Sequence, residues 1–195
     1  MISGAVDLTK ESALPSDDLQ IVQRILAGEA TLFGGLVDRH KKSVYGIVSG
    51  MVDRPDEVDD LVQDVFVAAY KSIGRFRGDA KFSTWLHAIA VNTTLRHMKK
   101  MKIRRAFSLD DPAQSEYQSG DLSPGQAHEK AERDREIRAA VKSLPDKQRT
   151  VVVLHYFEGL SCQEIAETLG CSVGTIWSRL HYACRVLKGR LESGA

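Results

Sequence analysis

The sequence predicts an all-α protein made of two small helical domains joined by a flexible linker. Three observations carry that prediction. Apolar residues recur at three- and four-residue spacing in both halves. Helix start and stop signals bracket those runs. Between the halves, Ser108 to Gly125 is rich in Ser, Asp, Gln, Gly and Pro and poor in aliphatics, the composition of a linker. The expected boundaries are 1–105, 106–127 and 128–195. Scarce β-branched alternation and an aromatic share of 7% disfavour an all-β domain.

The elements follow in order. Asp18 to Leu26 places Leu19, Val22, Ile25 and Leu26 on one face and stops at Gly28. Leu32, Phe33, Leu36, Val37, Val44, Tyr45, Ile47 and Val48 outline a second helix, with Gly34 and Gly35 as weak points or close-packing positions. Pro55 followed by Asp56 and Glu57 starts a third, with acids at the positive end of the helix dipole, and Gly74 ends it. Ser83 is placed to cap a long helix running to about Arg104. Beyond the linker, helices are expected over Gln126 to Ser143 and Asp146 to Phe157. Ser161-Cys162-Gln163-Glu164 is a capping box opening a short helix to Leu169, with Gly170 as its stop. A last helix runs from near Ser172 toward Arg190.

Composition narrows the function classes. A hydrophobic share of 43% and a charged share of 27% are those of a globular chain. No apolar run reaches the ~20 residues a membrane helix needs, and Met1 to Lys10 lacks a secretory pattern. Three widely spaced cysteines fit a reducing cytoplasm better than a disulfide framework. Cys162, Cys171 and Cys184 fall in three local elements with no Cys-x₂-Cys pair, so they read as packing residues, and no metal or other cofactor is expected.

The net charge of +1 hides a strong segregation. Six acids stand between Asp53 and Asp64 against one base, Arg54. Arg96, Lys99, Lys100, Lys102, Arg104 and Arg105 cluster in a stretch without acids, and the linker is acidic. From Ser172 to Leu191 the only charged residues are Arg179, Arg185, Lys188 and Arg190. Such a pattern suits one polyanionic partner and a second, different one.

The C-terminal pair of helices has helix-turn-helix form. Val173, Ile176, Leu180, Ala183 and Leu187 fall within about 80° of arc and can pack on Ile165, Ala166 and Leu169. The opposite face is centred on Ser178 and holds Thr175, His181, Tyr182 and Arg185, flanked by Trp177 and Arg179, with Ser172 at the helix start. Hydrogen-bonding groups and cations without carboxylates suit a helix lying in a DNA major groove. A solvated basic helix face is the plainer alternative, and the capped helix and Gly turn before it favour DNA.

In the N-terminal half, Val58, Leu61, Val62, Val65 and Phe66 form an inner face, leaving Glu57, Asp60, Gln63 and Asp64 outward. Phe76-Arg77-Gly78 leads through Phe82 and Trp85 into the helix that turns basic after Asn92. Aromatics interleaved with cations suit unpaired nucleic acid, whose bases stack on rings while cations follow the phosphates. Phe82 and Trp85 are expected in the core and Phe76 is expected exposed.

These stretches together resemble bacterial RNA polymerase sigma factors of the extracytoplasmic-function type, group 4 of the sigma-70 family. The resemblance rests on Asp59-Asp60-Leu61-Val62-Gln63-Asp64-Val65-Phe66, on Phe82-Ser83-Thr84-Trp85-Leu86 with Ile89-Ala90-Val91-Asn92, and on Glu164-Ile165-Ala166 with Val173 to Leu180. It covers about Asp18–Arg105 and His128–Leu191. It implies a σ2 domain that binds the polymerase clamp helices through Glu57, Asp60, Gln63 and Asp64, and that melts and reads the −10 element with Phe76, Arg77, Asn92, Arg96, Lys99 and Lys100. It implies a σ4 domain that binds the polymerase flap and reads the −35 element, its base-reading positions falling on Trp177, Ser178, His181 and Tyr182. Family members often carry Arg where this chain has Trp177 and Tyr182. The resemblance further implies no enzymatic activity, a cytoplasmic location without membrane contact, and control by an anti-sigma factor. A free-standing helix-turn-helix regulator binding duplex DNA as a dimer is the alternative, but it leaves the acidic helix and aromatic loop without a role.

Overall fold

A computed structural model describes residues 17–107 and 126–193. The linker, most of which lies between these ranges, falls outside the described residues. All regular structure among the described residues is helical. Helix α1 spans Asp18–Leu26, α2 Phe33–Met51, α3 Val58–Ser72 and α4 Phe82–Phe107. In the second half α5 spans Gln126–Lys142, α6 Asp146–Val152, α7 Cys162–Leu169 and α8 Val173–Ser193.

Local chemistry accounts for most boundaries. Asp17 caps α1, its carboxylate accepting the Leu19 N–H at 3.1 Å, and Gly28 leaves the helix at φ +113°, a conformation costly to any residue with a Cβ. Pro55 opens a 3₁₀ turn over Pro55–Glu57 that feeds α3. Ser161 and Glu164 form the expected reciprocal capping box, and Gly170 closes α7 in the left-handed conformation. Two details differ. Helix α4 starts at Phe82, with the Trp85 N–H bonded to the Lys81 carbonyl at 3.2 Å, so Ser83 lies inside the first turn and does not cap it. The end of the Asp146–Phe157 run is not α-helical: Val153–Phe157 forms a π turn.

Helix α2 is central. It packs on α1, α3 and α4 on one side and on α5, α6 and the π turn on the other. Ile21, Leu36, Ile47, Met51 and Leu86 are fully buried in the first bundle, and Leu144, Leu154, Ile165 and Ile176 in the second. The buried residues of the two bundles make one continuous cluster. Three expected core positions are solvent-facing instead: Leu19, Leu26 and Tyr45 lie at the edges of their stripes.

Buried polar groups at the junction of the bundles are tied to one another. The Ser43 hydroxyl donates to Glu158 Oε2 at 2.6 Å. That leaves its oxygen to accept from His87 Nε2 at 2.9 Å, so His87 carries its proton on Nε2, and its buried Nδ1 has no partner. Burial, reinforced by the nearby His40 imidazole, pushes His87 down to about 4. The neutral ring is therefore the folded form. Its contribution to stability is present above the unfolded value near 6.5 and is lost as pH falls through the window toward 4.

Candidate nucleic-acid interface

Three surfaces follow from this framework. On α3, Val58, Leu61, Val65 and Phe66 are buried as their spacing requires, which turns Asp60, Gln63 and Asp64 outward and exposed. None of these three pairs with another described residue, so the face is an open patch of carboxylates. Glu57 differs. It sits half-buried in the 3₁₀ turn, 2.8 Å from His97 Nε2 on α4 and 3.7 Å from Arg54 Nε. Its carboxylate fastens α3 to α4.

The second surface runs along α4. Asn92, Arg96, Lys99 and Lys100 are exposed on this helix. The Arg96 guanidinium turns back to the Asn92 carbonyl and the Thr93 hydroxyl, 3.3 Å from each. Arg77 is exposed in the loop before α4. Phe76 is not free-standing as expected: it is half-buried, in a ring cluster with Phe82 at 5.6 Å and Trp85 at 5.4 Å. Phe82 and Trp85 stack at 5.5 Å, the former buried and the latter half-exposed. Phe82 lies in the core while Phe76 and Trp85 stay partly open to solvent, with exposed Arg77 next to Phe76 in the chain, an arrangement able to receive an unstacked base.

The third surface is α8. Ile176, Leu180 and Ala183 are buried, with Val173 and Leu187 packed beside them, so the predicted stripe is the one observed. Trp177, Ser178, His181, Tyr182 and Arg185 are exposed on the other side, Trp177 at 63%. The Arg185 guanidinium lies 5.4 Å from the centre of the Tyr182 ring, which holds both side chains against one another. Arg179 and Thr175 are half-buried. The Ser172 hydroxyl accepts the Thr175 N–H at 3.2 Å and meets the Thr175 hydroxyl at 2.9 Å, so these two residues set the start of the helix.

An outward acidic helix, an aromatic loop running into a basic helix, and a helix-turn-helix stand on one chain in this order. Residues 36–103 match the family Sigma-70 region 2, and residues 134–187 match Sigma-70, region 4. Relatives match over nearly their whole length. The RNA polymerase sigma-H factor of Pseudomonas aeruginosa is 33% identical over 181 residues, 90% of this chain and 94% of the relative. The ECF RNA polymerase sigma-E factor of Escherichia coli K12 is 34% identical with the same coverage. The chain is an extracytoplasmic-function sigma factor. SigW, an ECF RNA polymerase sigma factor of Bacillus subtilis, is 32% identical over 88% of this sigma factor. Among solved structures, CnrH in complex with the cytosolic domain of CnrY superposes with a TM-score of 0.68 at 25% identity, covering 91% of this sigma factor and 99% of CnrH. The sigma factor RpoE of Bartonella quintana, in complex with the anti-sigma factor NepR, shares the fold at a TM-score of 0.63 and 23% identity, with 82% of this chain and 96% of that one covered. The all-α two-domain reading and the sigma-factor reading therefore hold, and the free-standing regulator gives way to them.

Other expectations meet the structure unevenly. Cys162 and Cys171 pack against the core, but Cys184 of this sigma factor is exposed, its sulfur 3.5 Å from the Tyr156 hydroxyl. Among the described residues no helix is long and apolar enough to cross a membrane, and no three His, Cys, Asp or Glu side chains group as a metal site. Sequence reasoning missed Arg149. It is 6% exposed, donates from Nη1 to the Met51 carbonyl at 2.6 Å and to Asp53 Oδ1 at 2.9 Å, and from Nη2 to the Lys142 carbonyl. Nothing in the local pattern around Arg149 marks it, because its partners lie mostly in the other half of the chain.

Proposed function

We propose that this sigma factor contacts core RNA polymerase, the −10 element and the −35 element through the three surfaces above. The unit 1–105 serves polymerase and the −10 element, and 128–195 serves the −35 element, with 106–127 between them. The observation that carries the reading is the combination, on one chain of the sigma-70 family, of an exposed carboxylate face with two exposed cationic faces. Asp60, Gln63 and Asp64 meet a basic surface of the clamp helices, with Glu57 supporting them through His97. Asn92 reads a base extruded from the −10 region, the Phe76–Trp85 edge receives it, and Arg77, Arg96, Lys99 and Lys100 hold the phosphates. The energy of unstacking is offset by those contacts. On α8, Trp177, Ser178, His181, Tyr182 and Arg185 read base edges, Arg179 holds phosphate, and Ser172 and Thr175 set the helix start against the backbone. The chain itself does no covalent chemistry and acts in the cytoplasm, where the polymerase is. Solved relatives are bound to an anti-sigma factor or to a cytosolic domain of another protein, which supports control of this chain by an anti-sigma partner.

The test is promoter binding and opening with and without core polymerase. Protein alone should leave promoter duplex unbound at concentrations where the holoenzyme binds it. Asn92→Ala and Phe76→Ala should slow opening of duplex promoter, while a template already unpaired at −10 suffers much less. Equal loss on both templates would show that these residues only position the protein. Lys99→Ala and Lys100→Ala should weaken binding to every sequence and reduce the salt slope by about one each.

Specificity at −35 gives a separate expectation. A hydroxyl and a phenol supply fewer rigid donors than a guanidinium fork, so each base contact gives less than the ~1–3 kcal/mol of a bidentate pair. Tyr182→Arg should therefore change which −35 sequences are selected from a randomised library. Arg179→Ala should weaken binding without changing the preference. An unchanged preferred sequence in the Tyr182 variant would remove that residue from the reading face.

A further inference from the structure

The first turn of α1 braces the loop before α4 at two points. Gly78, in the middle of that loop, has φ +79°, a conformation that side chains with a Cβ rarely adopt. A Cβ there would come within 3.3 Å of Leu19 Cδ1, so the loop backbone passes over the Leu19 side chain at close range. Leu19 is 39% exposed and lies outside the buried residues of α1, so the loop is what its side chain supports. The second point is reached through Asp18. Its Oδ1 accepts the Arg39 guanidinium at 3.1 Å, and its Oδ2 lies 2.7 Å from His40 Nε2. The His40 ring lies 5.4 Å from Phe82, the residue that opens α4 and holds Phe76 and Trp85 in the ring cluster.

The loop needs such support. Its backbone is bonded at the two ends, the Phe76 N–H to the Ile73 carbonyl at 3.0 Å and the Trp85 N–H to the Lys81 carbonyl at 3.2 Å. Arg77, Gly78, Asp79, Ala80 and Lys81 between them are all exposed, so burial of their own side chains does not fix the path. The turn that supports them is itself fixed, because Asp17 caps α1 by accepting the Leu19 N–H. Three consecutive residues thus cap the helix, tie it to α2 and seat the loop.

We infer that the first turn of α1 is a specificity element for the −10 contact, in which Leu19 and Asp18 are positioning residues that hold Phe76 and Arg77 where an unstacked base is received. This rests on the proposed reading of the −10 surface. Arg77 and Phe76 stand one and two residues from Gly78, so any shift of the backbone over Leu19 passes directly to both. A pocket held in place before binding discriminates between bases because the wrong one leaves its polar groups unpaired. A loose pocket adapts to either base and spends part of the contact energy on ordering itself.

Two measurements test this. Amide hydrogen exchange of the full chain, read by mass spectrometry over residues 73–86, should be about fivefold faster in Leu19→Ala than in the parent. Asp18→Ala, which releases the His40 that lies against Phe82, should act in the same direction. Gly78→Ala should also speed exchange, and adding Leu19→Ala to it should cost less than the two separately, since they share one contact. The second measurement is the opening rate of holoenzyme on promoters carrying each of the four bases at the extruded −10 position. Leu19→Ala should narrow the ratio between the best base and the next by about fivefold, with affinity for core polymerase and −35 preference unchanged. Leu19→Met should restore the ratio, and Leu26→Ala, an exposed leucine at the other end of α1, should leave it as it is in the parent. Unchanged exchange in Leu19→Ala overturns the brace. Faster exchange with an unchanged base ratio, or equal slowing on all four bases, overturns its part in specificity. A parent holoenzyme that opens all four promoters equally overturns the proposed −10 reading and the specificity role with it, while faster exchange in Leu19→Ala would leave the brace itself standing.

Discussion

Ile176→Ala should cost the protein about 2–5 kcal/mol and lower its thermal midpoint by roughly 5–15 °C. Ile176 has no exposed surface, and it sits on α8 where the recognition helix meets the rest of the C-terminal bundle. Truncation leaves a cavity that a close-packed interior fills only partly. The loss is felt in function because the stripe of Ile176, Leu180 and Ala183, with Val173 and Leu187 packed beside it, aligns α8 on the bundle. Binding to the −35 element should fall with it. Ser178→Ala, two residues on, removes an exposed hydroxyl bonded to the carbonyl of Thr175 and should leave the midpoint within a degree or two. Circular dichroism melts of the two variants decide the matter. A midpoint for Ile176→Ala equal to that of the parent would mean that α8 is not held by its apolar stripe.

Reversing Asp60 and Asp64 together to lysine should weaken binding to core polymerase by about 10- to 100-fold at low salt, the range of charge reversal at an electrostatically matched interface. Both side chains are exposed and lie opposite Val58, Leu61 and Val65, so helix content should not change. The effect should shrink as salt rises, because the lost attraction is screened over about 10 Å at 0.1 M. Fluorescence titration of labelled factor with core polymerase at two salt concentrations gives both numbers. Unchanged affinity takes α3 out of the interface. Glu57→Gln should behave differently from this pair. Its carboxylate is held by His97 and Arg54, so the substitution should alter how α4 is held against α3 before it alters polymerase affinity.

The chain's own pattern made the helices and their faces legible. Val58, Leu61, Val65 and Phe66 had to turn inward together, and that alone placed Asp60, Gln63 and Asp64 on the outside. The same holds for Ile176, Leu180 and Ala183 against Ser178, His181 and Tyr182. Capping chemistry is equally local, which is why Ser161, Glu164 and Gly170 could be placed from their spacing. Phe76 was harder. Its exposure depends on whether Phe82 and Trp85 come within stacking distance, and no periodicity in a loop states that.

What the sequence by itself determined is therefore everything governed by a repeat of 3.6 residues and by caps within four residues: an all-α chain, two bundles, one acidic face, two basic ones and a family resemblance. Only the tertiary structure decided how the halves meet. Gly46 and Gly50 carry no mark in the pattern of α2, and only the structure sets Glu158 and Val153 against them, more than 100 positions away. Arg149 carries no mark in its local pattern, and only the structure shows it buried and bonded to the Met51 carbonyl and Asp53. The π turn that aligns Val153 with Glu158 carries no mark in the run Val151 to Phe157. These features arise from close approach between distant segments, where the fit of one surface to another sets the energy and the order of neighbouring residues says nothing about it.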